Sequence, residues 1–401
     1  MTEAVIVSTA RTPIGRAGKG SLKDIRPDDL SAIAIKAVLE QIPAMDNSLI
    51  EDVLWGCGQP AGESGHNIGR VSALLAGLEG TPGVTVNRYC SSSLMTIRMA
   101  AHAILAGDGE AFVAGGVETI SRNMLHLALA DGPKNPIFAE AEARSAERAL
   151  GGAPTWTPAE GLPDIYLAMG QTAENVAQFE NVSRAEQDEF AALSQNRAEE
   201  SLNNGYWEAE ITPVQTPDGL VNADDGIRAG TTVEKLAGLK PAFRPDGTVT
   251  AGNACPLNDG AAAVVVMSDT KAKELGLTPL ARIVSSAATA LNPEIMGLGP
   301  VEASRKALSR AGMSIDDIDL VEINEAFAAQ VIPSARHLGI EWDKLNTRGG
   351  SIALGHPFGM TGARIMTTLI HNLRESDKTF GLETMCVGGG QGMAMIIERL
   401  N

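Results

Sequence analysis

The order of elements in the first third of the chain returns in its last third, and this repeat constrains the fold more than any other feature. A helical pattern over Leu30–Gln41 and a strand pattern over Val53–Gly56 return as Val301–Ala311 and Leu320–Ile323. Asn87, a turn and a helix beginning near Ser92 return as Asn346, a turn and a helix beginning near Met360. A strand over Ala111–Ala114, followed by Gly115-Gly116, returns as Thr384–Val387, followed by glycines. The offsets are 259 (346 − 87), 267 (320 − 53) and 273 (385 − 112). Strands that alternate with amphipathic helices are the α/β signature. Near-constant offsets over three elements in order imply two similar α/β halves from a duplication.

Between the halves, over about 120–257, the period-two pattern is mostly lost. Pro136, Gly151-Gly152, Pro154, Pro158 and Pro163 are followed by a polar helix near Arg184–Asn203. Then come Arg228, Lys235, Lys240 and Arg244, opposed in that run only by Glu234. The texture is that of an insertion of loops and helices, and long loops tend to carry function.

Four segments carry reactive groups. Cys90 stands in Val86-Asn87-Arg88-Tyr89-Cys90-Ser91-Ser92-Ser93, after a strand and at a helix start. There the serines can cap the helix, and its dipole favours a thiolate. Cys386 ends a strand before Val387-Gly388-Gly389-Gly390; N–H groups in such a turn can form an anion nest. His356 lies in Gly355-His356-Pro357-Phe358-Gly359-Met360-Thr361-Gly362, a stiff, open turn that suits a working imidazole better than a core one. Asn324, in Asn324-Glu325-Ala326-Phe327, follows a strand's C-terminal end, where α/β folds place their sites. Two thiols, an imidazole and an amide are the parts of thioester carbon–carbon chemistry: one thiol carries an acyl group while the other moves a proton.

Composition excludes several classes. A net charge of −17 argues against nucleic-acid or anionic-membrane partners. An anionic substrate then needs a local basic patch, which the run from Arg228 supplies. No apolar run reaches the roughly 18–20 residues of a membrane span. The four cysteines form no Cys-x-x-Cys pair, which disfavours zinc or a redox dithiol. Neither terminus carries a targeting pattern, so a cytoplasmic protein is expected.

From Ala4 to the C-terminus, these four segments and their order resemble the thiolase family. The resemblance implies an α/β thiolase fold: a five-layer αβαβα sandwich of two similar halves with an inserted loop domain. The expected division is 1–119 with 258–278 for the N-terminal half, 120–257 for the loop domain covering coenzyme A, and 279–401 for the C-terminal half. It gives Cys90 the nucleophile's role, activated by His356, and Cys386 the acid/base role at the substrate's α carbon. It gives the N–H groups of Cys90 and Gly388 to one oxyanion hole, and a water held by Asn324, with His356, to a second. It assigns coenzyme A contacts to Arg228, Lys235, Phe243, Ala251, Met169, Ala326 and Phe327, and a pocket-lining place to Cys255. Ser93 stands where the family usually has glycine, and Ala168 where it has histidine. Arg88 and Ser91-Ser92 look like the degradative type. The implied reaction is thiolysis of 3-ketoacyl-CoA by coenzyme A, as in fatty-acid β-oxidation. The alternatives are condensation of two acetyl-CoA, a ketoacyl synthase of the same fold, or an inactive binding subunit. Coenzyme A would be substrate, with no metal or other cofactor. Acyl-CoA and coenzyme A are the implied partners, in a homodimer or homotetramer with a β-oxidation partner subunit.

Overall fold

The computed structural model describes residues 2–127 and 134–401. The first half runs β1 (Ala4–Arg11), β2 (Gly15–Arg16), α1 (Pro27–Glu40), β3 (Asp52–Gly56), α2 (Ile68–Leu75), β4 (Gly83–Val86), α3 (Ser92–Ala106) and β5 (Ala111–Thr119). The insertion follows: α4 (Ile120–Leu127), α5 (Ala139–Ala149), α6 (Met169–Phe179), α7 (Arg184–Asn203), a hairpin of β6 (Val214–Thr216) and β7 (Gly219–Val221), and α8 (Val233–Ala237). The chain then returns to the first sheet as β8 (Asn258–Ser268) and leaves it through α9 (Asp269–Glu274). The second half is β9 (Ala281–Ala290), α10 (Gly299–Ala311), β10 (Leu320–Ile323), α11 (Ala328–Leu338), α12 (Ser351–Leu354), α13 (Thr361–Glu375), β11 (Phe380–Val387) and β12 (Gln391–Arg399).

The duplication is explicit in the strand order. The first sheet reads β4-β3-β5-β8-β1, the second β10-β11-β12-β9. In each, a parallel pair (β3 with β5, β10 with β11) is followed by antiparallel pairs. A parallel bridge from Val321 to Leu345 occupies the place of β4 in the second half. The sheets meet edge to edge only where Val5 and Ile6 of β1 face Arg282 and Ala281 of β9.

Burial on both faces explains the long apolar strands, because a strand covered on two sides has no polar side to alternate. Along β1, Val5 and Val7 point outward against α1, while Ala4 and Ile6 point into the middle of the molecule. That middle layer is α3 and α13, with Leu94, Ile97, Met366 and Leu369 packed between the sheets. Helices α10 and α11 cover the far sheet around Val321, Ile323 and Ile396. The result is the five-layer αβαβα sandwich.

One sequence expectation changes. The strand read over Ala111–Ala114 continues through Gly115-Gly116 to Thr119. The two glycines are there for close approach, not for a turn. A Cβ on Gly116 would lie 2.2 Å from the Gly359 carbonyl oxygen, and one on Gly115 would lie 2.3 Å from that of Ala262. Strand β5 therefore accepts the backbone of the His356 turn directly.

Candidate active site

Cys90 is held by a sharp turn at the end of β4. Tyr89 adopts a left-handed conformation (φ +44°), and its N–H donates to Asn87 Oδ1 at 2.8 Å. A short 3-10 turn over Tyr89–Ser91 leads into α3. The serines do not cap α3 as expected. Ser91 Oγ donates to the Arg88 carbonyl and Ser92 Oγ to that of Tyr89, which tightens the turn itself. Ser93 Oγ instead accepts from the Ala363 N–H at 2.9 Å, in the first turn of α13.

The backbone N–H groups of Gly388 and of Cys90 itself favour the charged form of the Cys90 thiol. Cys386, fully buried, and Cys255 lie close enough to Cys90 that a charge on one thiol disfavours a charge on the others. The expected lowering of the Cys90 pKa does not occur. Burial dominates and, despite the two N–H donors, pushes this thiol up to about 11. A helix terminus offers partial charge only, whereas removing a thiolate from water costs several times more.

His356 is buried, and burial together with the Arg364 charge pushes its pKa down to about 3. Its tautomer follows from its neighbour. The Thr361 hydroxyl donates to the Pro357 carbonyl at 2.8 Å, so at 2.7 Å it accepts from His356 Nδ1–H. This assignment leaves Nε2 with a free lone pair. Nε2 faces Asn324 Nδ2 at 3.3 Å. The His356 backbone N–H donates to Asn258 Oδ1 at 3.0 Å.

Glu118 ties the His356 turn to the loop after β3. Its buried carboxylate accepts from the N–H groups of Gly58, Gln59 and Gly359 at 2.8, 3.2 and 3.0 Å. A Cβ on Gly58 would lie 2.9 Å from Phe358 Cβ and 3.5 Å from the Tyr89 oxygen, so the two turns flank that glycine. Burial raises Glu118 to about 7, although the three donors pull it down. Glu118, Asn258 and Thr361 were not singled out from the sequence. An acid inside the apolar run of β5 is a signal that could have found Glu118.

The residues expected at coenzyme A divide into two groups. Met169, Cys255, Ala326 and Phe327 pack in one apolar cluster with Cys386. Phe243 meets Phe327 edge-on at 6.1 Å, and the Cys255 N–H donates to the Ala326 carbonyl at 3.0 Å. Arg228, Lys235 and Ala251 are not members of that cluster. Thr231 Oγ1 donates to the Arg228 carbonyl, and Lys235, on α8, reaches back to the Gly230 carbonyl of the loop that carries Arg228. Ala251 is exposed. Arg244 leaves the expected basic patch altogether: it is buried and donates to Gln171, Gln178 and Asn175.

The family models for the thiolase N-terminal and C-terminal domains match residues 4–270 and 277–399. A 3-ketoacyl-CoA thiolase of Bacillus subtilis is 44% identical, over 99% of this chain and all of that protein. A 3-oxoadipyl-CoA/3-oxo-5,6-dehydrosuberyl-CoA thiolase of Escherichia coli is also 44% identical, over the whole of both chains. The crystal structure of the Bacillus anthracis acetyl-CoA acetyltransferase superposes with a TM-score of 0.85 at 39% identity, covering 100% of this chain and 99% of that one. With its strand order, its two-thiol site and both domain models in agreement, the chain belongs to the thiolase family.

Proposed function

We propose that this enzyme cleaves 3-ketoacyl-CoA with coenzyme A, giving acetyl-CoA and a shortened acyl-CoA. The observation that carries the reading is a second buried thiol, Cys386, close enough to Cys90 for a charge on one to disfavour a charge on the other, with the Gly388 N–H favouring a Cys90 thiolate. One thiol would suffice for acyl transfer alone; two permit a proton to move at carbon as well.

In the proposed sequence, His356 Nε2 takes the Cys90 proton as sulfur attacks the 3-keto carbon. The N–H groups of Cys90 and Gly388 receive the developing oxyanion. The C2–C3 bond then breaks. The enolate of acetyl-CoA forms against His356 and the Asn324 amide, and Cys386 gives its proton to C2. The Cys386 thiolate next takes the proton of coenzyme A, whose sulfur displaces Cys90 from the acyl group. Cys90 recovers its proton from His356. Nothing in these steps calls for a metal or a redox cofactor.

The same steps reversed condense two acetyl-CoA. An acetyl-CoA acetyltransferase of the same fold supports that alternative, and the named 3-oxoadipyl relative points to a diacid chain. Ala168 and Cys255, small or apolar groups at the pocket wall, leave room for a longer uncharged alkyl chain. Each buried methylene adds up to about 0.8 kcal/mol, so kcat/KM should be higher for a roughly six- to ten-carbon 3-ketoacyl-CoA than for acetoacetyl-CoA. The family's habit of pairing and the degradative-type Cys90 segment support a homodimer or homotetramer with a β-oxidation partner, and a cytoplasmic location is proposed with it.

The test is Cys386→Ala, assayed in two ways. Thiolysis should fall by about 10²–10⁴-fold, the range for lost acid–base catalysis. Label transfer from an acyl-CoA onto Cys90 should persist. Near-normal thiolysis by the variant would remove Cys386 from the mechanism. Equal or better turnover of acetoacetyl-CoA by the parent, with none of longer substrates, would favour the short-chain reading.

A further inference from the structure

Beyond the groups already assigned, three side chains form a buried line behind the site. Asn324 Oδ1 accepts from Ser351 Oγ at 2.6 Å. Ser351 Oγ accepts from Arg364 Nη2 at 3.1 Å. Asn324, Ser351 and Arg364 are each at most 1% exposed. Behind Arg364 stand the carboxyls of Glu322 and Glu383.

From this line we propose that Ser351, backed by Arg364, is a positioning residue that fixes which end of the Asn324 amide faces the substrate. The inference rests on the reading that Asn324 serves the enolate as a donor. A side-chain amide is nearly symmetric in shape, so packing does not choose between its two orientations. Here the choice is chemical. With one lone pair of Ser351 Oγ taken by Arg364, the hydroxyl hydrogen is directed onto Asn324 Oδ1. The Nδ2–H₂ end is thereby aimed at His356 Nε2 and the reacting carbon's side. A flipped amide would set Oδ1 against the lone pair of Nε2, acceptor facing acceptor, at buried side chains where an unmet acceptor is costly.

The main chain of Asn324 does not depend on Ser351. Its N–H donates to the Thr384 carbonyl at 3.0 Å, and its carbonyl accepts from Gln330 Nε2 at 2.7 Å. Removing the Ser351 hydroxyl therefore frees the side-chain amide and leaves the backbone in place. The two half-reactions should respond differently. Transfer of an acyl group between Cys90 and coenzyme A uses the N–H groups of Cys90 and Gly388. Only carbon–carbon cleavage places charge where the Asn324 amide points.

The experiment compares Ser351→Ala, Asn324→Ala and the double variant in thiolysis and in acyl-CoA/coenzyme A exchange. Ser351→Ala should lower kcat for thiolysis by roughly tenfold to a hundredfold, less than the 10²–10³ of a donor lost outright. KM and the exchange rate should hold within about threefold, well below that donor effect. In the Asn324→Ala background, adding Ser351→Ala should cost nothing more, since a group acting through another is not additive with it. Ser351→Cys keeps the branching and a weak S–H donor, and should fall between parent and Ser351→Ala. Unchanged thiolysis in both Ser351 variants would overturn the proposal, as would equal losses of thiolysis and exchange. Unchanged thiolysis in Asn324→Ala would instead overturn the role of Asn324 itself.

Discussion

At Cys90 two effects oppose each other, and their sizes decide how the nucleophile is made. The Gly388 and Cys90 N–H groups favour a thiolate, while full burial disfavours it and wins, leaving the thiol at about 11. His356, at about 3, is neutral at the same time. The resting pair is thus thiol and imidazole, not thiolate and imidazolium. The proton must move as the substrate binds, when the carbonyl oxygen approaches the N–H groups of Cys90 and Gly388. Burial raises the other three thiols too, while at Cys90 the Gly388 N–H works against it. Iodoacetamide should therefore label Cys90 first, and acyl-CoA should protect it. Because the thiolate is the reactive form, the labelling rate should rise about tenfold per pH unit between roughly pH 7 and 10, without a plateau. Peptide mapping that finds Cys57 or Cys255 labelled first, or a plateau near neutrality, would contradict this.

Helix α13 shows how an element places the imidazole. Its first residue, Thr361, orients His356, so any shift of the helix start moves the base. Two contacts fix that start against α3. A Cβ on Gly362 would lie 2.4 Å from the Leu94 nitrogen, so the helices cross at backbone distance. Ser93 Oγ accepts the Ala363 N–H, one of the donors that every helix leaves unpaired in its first turn. The serine that replaces the family's usual glycine thus caps a helix 270 residues (363 − 93) away along the chain. Ser93→Gly should lower stability by about 1–2 kcal/mol, from the lost hydrogen bond and the glycine in α3. The measurement is the shift in urea midpoint at constant m-value. A variant as stable as the parent would show that the cap contributes nothing. The helix was legible in the sequence from near Met360, because its apolar period is local. Its partner was not, because nothing near Ser93 announces Ala363.

The middle of the molecule stores charge that the outside does not reveal. Arg11 is buried with Glu210 and Asp224, and Arg364 with Glu322 and Glu383. Both oxygens of Glu383 lack a hydrogen-bond partner. Burial raises Glu322 to about 8, with Arg364 pulling it down and Glu325 and Glu210 pushing it up. An acid held above its ordinary value binds its proton more tightly when folded. Its contribution to stability is complete below the unfolded value of 4.5 and is lost as pH rises through about 8. The melting temperature of the parent should thus fall across that window, and Glu322→Gln should lose several degrees less. Scanning calorimetry at a series of pH values checks this; parallel curves for parent and variant would refute it.

Much of the same molecule was already written in its sequence. The α/β class, the two halves, the loop insertion, and Cys90, Asn324, His356 and Cys386 at strand ends and turns all follow from local rules. Period, glycine placement and the chemistry of a turn involve residues within a few positions of one another. The tertiary structure alone decided the protonation of those groups and the shell that holds them. Glu118 tying the His356 turn to the loop after β3, Ser93 capping α13, Ser351 turning the Asn324 amide and Arg244 withdrawing into the insertion are pairings across long stretches of chain. Burial and hydrogen-bond partnership depend on what surrounds a side chain in space, and no local pattern of residues encodes that.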